Sequence, residues 1–144
     1  MAVRTYDPKE VIITIGGVPM SGFSDGTFLE IARSEPTWNM VVGADGYVTR
    51  GKTNNFSGTL ALTLKQSSPS NDVLSGFMAL DELSNAGIVP VLVKDLSGNS
   101  VYFSGQAWVQ QFPSSTFGKD ISDRAWQLQL ADVDIFVGSN SETV

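Results

Sequence analysis

The stretch FSGTLALTLKQSSPSNDVLSGFM, residues 56–78, decides the fold, because its side-chain period changes within a few residues. Over residues 59–64, Leu60, Leu62 and Leu64 alternate with Thr59, Ala61 and Thr63, the two-residue period of a strand with one buried face. Ser68 then fits a helix N-cap and Pro69 a first-turn proline, while Asp72 places negative charge near the positive end of the helix dipole. Val73, Leu74, Phe77 and Met78, continued by Leu80 or Leu83, make one helical stripe. The expected helix runs from about 69 to 83 and lays that stripe against the outside of a β body.

Strand signals dominate on both sides of this stretch. Residues 10–15 contain VIITI and end at Gly16-Gly17, with 18–23 as a hairpin partner, and 27–33 reads as an edge or interface strand. After the helix, Gly87 serves as a stop, and IVPVLVKD, residues 88–95, resumes β character with Pro90 near an edge or a strand start. The turn Ser97-Gly98-Asn99 leads into 100–111, where Val101, Phe103, Gly105, Ala107 and Val109 oppose Tyr102, Ser104, Gln106, Trp108 and Gln110. In 124–130, Trp126, Leu128 and Leu130 oppose Ala125, Gln127 and Gln129, and 132–137 stays extended. The sum is a mainly β chain, a β-sandwich or barrel with one flanking α-helix.

Between 34 and 55 the alternation weakens. Asp45-Gly46 is a hairpin-turn signal there, with Val41-Val42 and residues 47–50 as arms of a hairpin projecting from the body. Long loops with apolar and aromatic tips are usually functional or packed against something.

Composition narrows the function. A length of 144 residues fits one domain, and a charged fraction of 17% against the usual value of about 25% fits either a two-sheet core or extensive subunit contacts. Nine basic against fifteen acidic residues, net −6, argue against a protein that grips nucleic acid, which gains affinity by neutralising phosphates. The chain has neither cysteine nor histidine, so disulfides, thiolate nucleophiles, imidazole triads and zinc–sulfur sites are excluded. No phosphate-binding G-x-x-x-x-G-K-[ST] loop occurs, and Asp45-Gly46 lacks a calcium-binding ladder of oxygen ligands. No catalytic residue, cofactor or metal site is therefore expected, although Asp132 and Asp134 share one strand face. The N-terminal MAVRTYDPKE has no apolar signal region and no stretch is apolar enough for a membrane span, so assembly in cytoplasm is the expectation. Trp38, Trp108 and Trp126 give the alternative reading, a monomeric or dimeric carbohydrate-binding module, against which stands their more usual role as packing anchors.

Five segments in order, IGGVPMSGFSDGTF, GADGYVTR, SGTLALTLKQSSPSND, PVLVKDLSGN and DRAWQLQLADVDIFVG, resemble the tail tube proteins of contractile-tailed bacteriophages, related to tailocin and type VI secretion tubes. The resemblance spans about residues 11–140. It implies a single tail-tube domain over 1–144 that closes into homohexameric rings and stacks into a tube for genome ejection. Expected partners are the tail sheath, baseplate and tape measure proteins, with DNA passing through the lumen without specific binding. The location implied is the virion tail, with no membrane involved. By the same resemblance, residues 35–55 are the extended loop that grips the next ring, with Trp38, Asp45, Tyr47, Arg50, Lys52 and Asn54 as inter-ring contact candidates. Thr59, Ala61 and Thr63 are the lumen-strand candidates, followed by the strands at 47–50 and 124–130. The N-terminal arm, 1–10, and the C-terminal tail, 138–144, are expected to order only in the tube, and the net charge makes an acidic lumen the expectation.

Overall fold

Leu60, Leu62 and Leu64 have no exposed surface in the computed structural model, which describes residues 2–142. The chain runs β1 (Val11–Ile15), β2 (Val18–Pro19), β3 (Leu29–Arg33), β4 (Trp38–Val42), β5 (Val48–Lys52), β6 (Gly58–Lys65), α1 (Ser70–Ser84), β7 (Val89–Asp95), β8 (Val101–Gln111), β9 (Asp123–Leu130) and β10 (Asp134–Phe136). One antiparallel sheet has the order β2-β1-β7-β8-β9-β6-β3, β10 also pairs with β8, and β4 and β5 pair only with each other.

Leu60 and Leu62 of β6 meet apolar partners on both sides, Leu128 and Trp126 on β9 and Ile31 and Leu29 on β3, while Leu64 lies opposite Arg124. Ile13, Ile15, Val91 and Val93 from the far half of the sheet join the same buried cluster, so the sheet curls around one core. A single segment bridges its two ends: Met20 N–H donates to the Ile13 carbonyl (2.8 Å) and Ser24 N–H to the Thr63 carbonyl (3.1 Å). The result is barrel-like, held across that seam by loop hydrogen bonds rather than a full ladder. The hairpin partner expected over 18–23 is a strand only at Val18–Pro19, because the rest of the segment makes this crossing.

One further expectation fails, at an irregularity in β8. Val91 pairs with Ser104 but Val89 with Ala107, so β8 carries an extra residue opposite Pro90. This bulge reverses the alternation: Ser104 is buried before it, Ala107 and Val109 after it, and Phe103 is exposed. Pro90 sits near the start of β7, one of the two placements its sequence allowed, and the broken register there tolerates its missing N–H in an interior strand.

The helix also departs from its expected place. Leu74 is fully buried within the barrel core, and Val73, Phe77 and Met78 pack around it, but Leu80 and Leu83 face solvent. Its first turns lie at the ends of β1 and β6 and the start of β9. Ser70 Oγ accepts from Ser21 N–H (2.9 Å), Asn71 Oδ1 accepts from Trp126 Nε1–H (2.8 Å), and a Cβ on Gly16 would lie 2.5 Å from the Phe77 ring. So α1 caps one end of the barrel instead of covering an outer face. Ser68 Oγ accepts from Ser70 N–H (3.2 Å), the expected capping role. The helix stops at Asn85, which takes the left-handed conformation (φ 58°), while Gly87 is tucked under Asp81 and donates its N–H to Oδ1.

The terminal segments are tied to each other. Arg4 donates to the Asn140 carbonyl (2.8 Å) and pairs with Glu142 (3.1 Å), and the Asn140 amide reaches the Asp95 carboxylate (3.2 Å). The two arms thus contact each other within one subunit; Met1, Thr143 and Val144 lie outside the described residues. Because Leu74 fills the capped end of the barrel, Leu74→Ala is expected to destabilise the protein by about 2–5 kcal/mol. The exposed Leu83→Ala should change stability by no more than about 0.5 kcal/mol. Urea titration of both variants checks this.

Candidate assembly surface

The hairpin β4–β5 stands apart from the barrel sheet. Its register pairs Trp38 with Lys52, Met40 with Arg50 and Val42 with Val48, so these six side chains share one face. Asn39, Val41, Thr49 and Gly51 share the other. Met40 is 65% and Tyr47 75% exposed, and Val41, Val42 and Val48 are also open to solvent. The Arg50 guanidinium lies 3.9 Å above the Trp38 ring, Lys52 lies 5.5 Å from the Phe56 ring and Arg33 4.9 Å from the same ring, a cation–aromatic ladder running down to the barrel.

The tip is built as its sequence requires. Gly43 N–H donates to the Tyr47 carbonyl (2.8 Å), Asp45 Oδ1 accepts from Tyr47 N–H (3.2 Å), and Gly46 has φ +85°, a conformation that a side chain makes costly. At the base, Thr53 N–H donates to the Thr37 carbonyl (2.9 Å), and Asn54 follows in the return segment with φ 55°. A lone two-stranded hairpin is marginal in water, and this one leaves Met40, Val41, Val42, Tyr47 and Val48 more than half exposed, so it gains stability when something covers them.

A second surface lies on the outer side of β6. Thr59, Ala61 and Thr63 point away from the core beside Gln129, Gln127 and Ala125 of β9, and Ala32 and Glu30 of β3 flank them on the other side. This face is made mainly of small and amide side chains, with Glu30 on β3 and the cross-strand pair Lys65 and Asp123 at its end as charged members. The structure therefore brings the candidate strands 59–64 and 124–130 together, whereas 47–50 belongs to the hairpin and does not join them. The tryptophans do not form a common platform: Trp126 is in the core, Trp38 lies under Arg50, and Trp108 pairs with Gln129. Among the described residues no group of three or more carboxylates is placed to hold a metal ion.

Residues 5–138 match the family described as Bacteriophage PhiTE tail tube protein. The chain belongs to this tail tube family. A relative, Structural protein ORF10 of Pseudomonas phage KPP10, is 32% identical over 146 residues, covering 96% of this chain and 84% of that protein. The fold is shared with a chain in the anti-feeding prophage cap (TM-score 0.64, 12% identity, 94% of both chains). It is also shared with a chain in the PVC sheath-tube complex of an extracellular contractile injection system (TM-score 0.62, 12% identity, 92% and 91% covered). At that identity these two likenesses show the fold alone. The protein is a structural component of a phage tail and not an enzyme, as the sequence resemblance implied.

One residue of this tail tube protein escaped the sequence reading. Arg124 occupies an inward position in the alternating run with Trp126, Leu128 and Leu130 and is only 6% exposed. A charged residue in phase with three apolar ones was the available signal. For the hairpin, Gly46→Val is expected to disorder the tip at a cost of about 1–2 kcal/mol while the barrel melts at an unchanged temperature. Faster amide exchange over 38–52, with the rates in β6 and β9 unaltered, is the measurable result.

Proposed function

We propose that this tail tube protein closes into hexameric rings that stack into the inner tube of a contractile tail, through which the genome passes into the host. The observation that carries this reading is the hairpin, whose Met40, Val41, Val42, Tyr47 and Val48 are more than half exposed within the subunit. Its place in the tube is the contact with the next ring, where Asp45, Arg50, Lys52 and Asn54 add polar complementarity to the apolar face. The open edge of β3 supplies backbone groups for pairing between neighbours in a ring, which turns an aggregation hazard into an assembly surface. All of residues 1–144 act as one tube domain, and the face of Thr59, Ala61 and Thr63 lines the lumen.

A lumen wall of threonine, alanine, glutamine and Glu30, whose one cation in the β6 row, Lys65, stands opposite Asp123, offers DNA little cationic foothold, and the net charge of −6 repels phosphate. The sheath, named with the tube in the PVC complex, is the outer partner, with baseplate and tape measure proteins at the tube's end and interior. Assembly takes place in the host cytoplasm.

Negative-stain microscopy of the purified protein is expected to show sixfold rings and tubes; particles that remain single subunits at all concentrations would overturn the reading. Replacing Asp45, Arg50 and Lys52 together with alanine should abolish tubes. Because these side chains are exposed, stability should shift by no more than about 1 kcal/mol. Tubes of normal length from this triple variant would remove the hairpin from the ring-to-ring contact.

A further inference from the structure

At the helix-capped end of the barrel, Gln66, Phe112, Pro113, Phe117, Arg124 and Trp126 line an open groove of about 340 Å³. Arg124 is 94% buried there if its 6% exposure is taken from the whole, yet its guanidinium donates only to neutral acceptors: Ser122 Oγ (2.7 Å), the Asp123 carbonyl (3.1 Å) and the Thr116 carbonyl (3.1 Å). No carboxylate lies within 4.0 Å of it among the described residues. A buried cation without an opposite charge is costly, and a carboxylate entering the groove would relieve that cost. The groove walls are apolar as well: Phe117 is 80% exposed, with its ring 5.1 Å from the guanidinium carbon, and Phe112 is 47% exposed. A fitting occupant therefore carries a carboxylate beside apolar side chains, on an element slender enough to enter.

The hairpin tip meets all three conditions. Asp45 lies between the exposed Val42 and Tyr47, on a two-stranded element about 5 Å across between strand axes. It cannot reach the groove of its own subunit. The hairpin springs from the end of the barrel where Arg33 pairs with Gly58, and the groove lies where Lys65 pairs with Asp123. The eight residues of β6 separate these ends by about 25 Å. A projection at one end and a matching recess at the other make a head-to-tail contact that does not saturate, so each added copy presents a new recess.

We infer that the groove around Arg124 is the socket for the hairpin tip of the next copy of this chain, with Asp45 supplying the carboxylate that Arg124 lacks. This rests on the stacking reading above and names the receiving half of the contact. The absence of cysteine from the chain makes the geometry directly testable. Ala44→Cys at the tip and Ser115→Cys at the groove, combined in one chain and treated with a short bis-maleimide under assembly conditions, should give a ladder of covalent multimers. Each single variant should stop at dimers. Tubes without the ladder would overturn the socket while leaving stacking intact; loss of tubes from the unaltered protein would instead overturn stacking itself.

Asp45→Asn keeps the oxygen that accepts from Tyr47 N–H and removes only the charge. It is expected to raise the protein concentration needed for tube growth by at least about tenfold, since removing one partner of a buried charge pair is expensive. An unchanged threshold would overturn the pairing with Arg124. This variant leaves the buried arginine in place, so its result does not depend on whether an Arg124 substitution folds.

Discussion

Everything in this subunit hangs on β6 being paired along both edges while one of its faces is sealed. Gly58 is the point where that constraint is tightest: an added Cβ would lie 2.5 Å from the Ala32 carbonyl oxygen and 2.9 Å from Val133. With glycine there, β3 and β9 close on β6 in a register that sets Leu60 and Leu62 against apolar partners on each side. Burying one leucine contributes about 1.5–3 kcal/mol, and a slip of one residue would turn all three outward together. The same register fixes the opposite face. The condition that seals Leu60, Leu62 and Leu64 is also the one that presents Thr59, Ala61 and Thr63 as a continuous outer row.

That coupling explains why so much was legible in the sequence. Strict alternation in β6 and β9 located two adjacent strands and the face each buries, and the Asp45-Gly46 pair located the hairpin turn. The phase of Val73, Leu74, Phe77 and Met78 identified the buried side of α1. Illegible features were those set by the third dimension. The bulge in β8 is a local change of register that composition does not encode, and Gly105 looked like any small residue in a strand. Leu80 and Leu83 continue the stripe in phase but extend beyond the barrel end that α1 caps, so helical period alone overstated the buried length. The pairing of Arg4 with Glu142 joins residues from opposite ends of the chain, a contact no local pattern can announce.

The candidate surface divides along the same line. The segment 35–55 stood out because the core period lapses there, whereas Trp38, Tyr47, Arg50 and Lys52 were singled out through the resemblance, and the structure sets Trp38, Arg50 and Lys52 on one face with Met40. Arg124 was hidden by the opposite circumstance. It sits in phase with core residues, and its burial arises from the loop carrying Phe112, Thr116 and Phe117 folding over it. The phase points Arg124 inward, and a segment whose path is not periodic completes its burial.

The contrast between the two ends of the barrel carries the final step. One end is finished: α1 fills it with Leu74, and the hydrogen bonds of Ser70 and Asn71 leave the helix firmly placed. The other end extends into a hairpin whose apolar face is bare and whose two strands have only each other. A rigid receiving end and a marginally ordered projecting end favour assembly that is weak for one contact and strong for many. A single hairpin spends part of its contact energy on its own ordering, whereas neighbours already held in a ring present several hairpins at once and at high effective concentration. In the stacking proposed above, growth from preformed rings is therefore favoured over addition of single subunits.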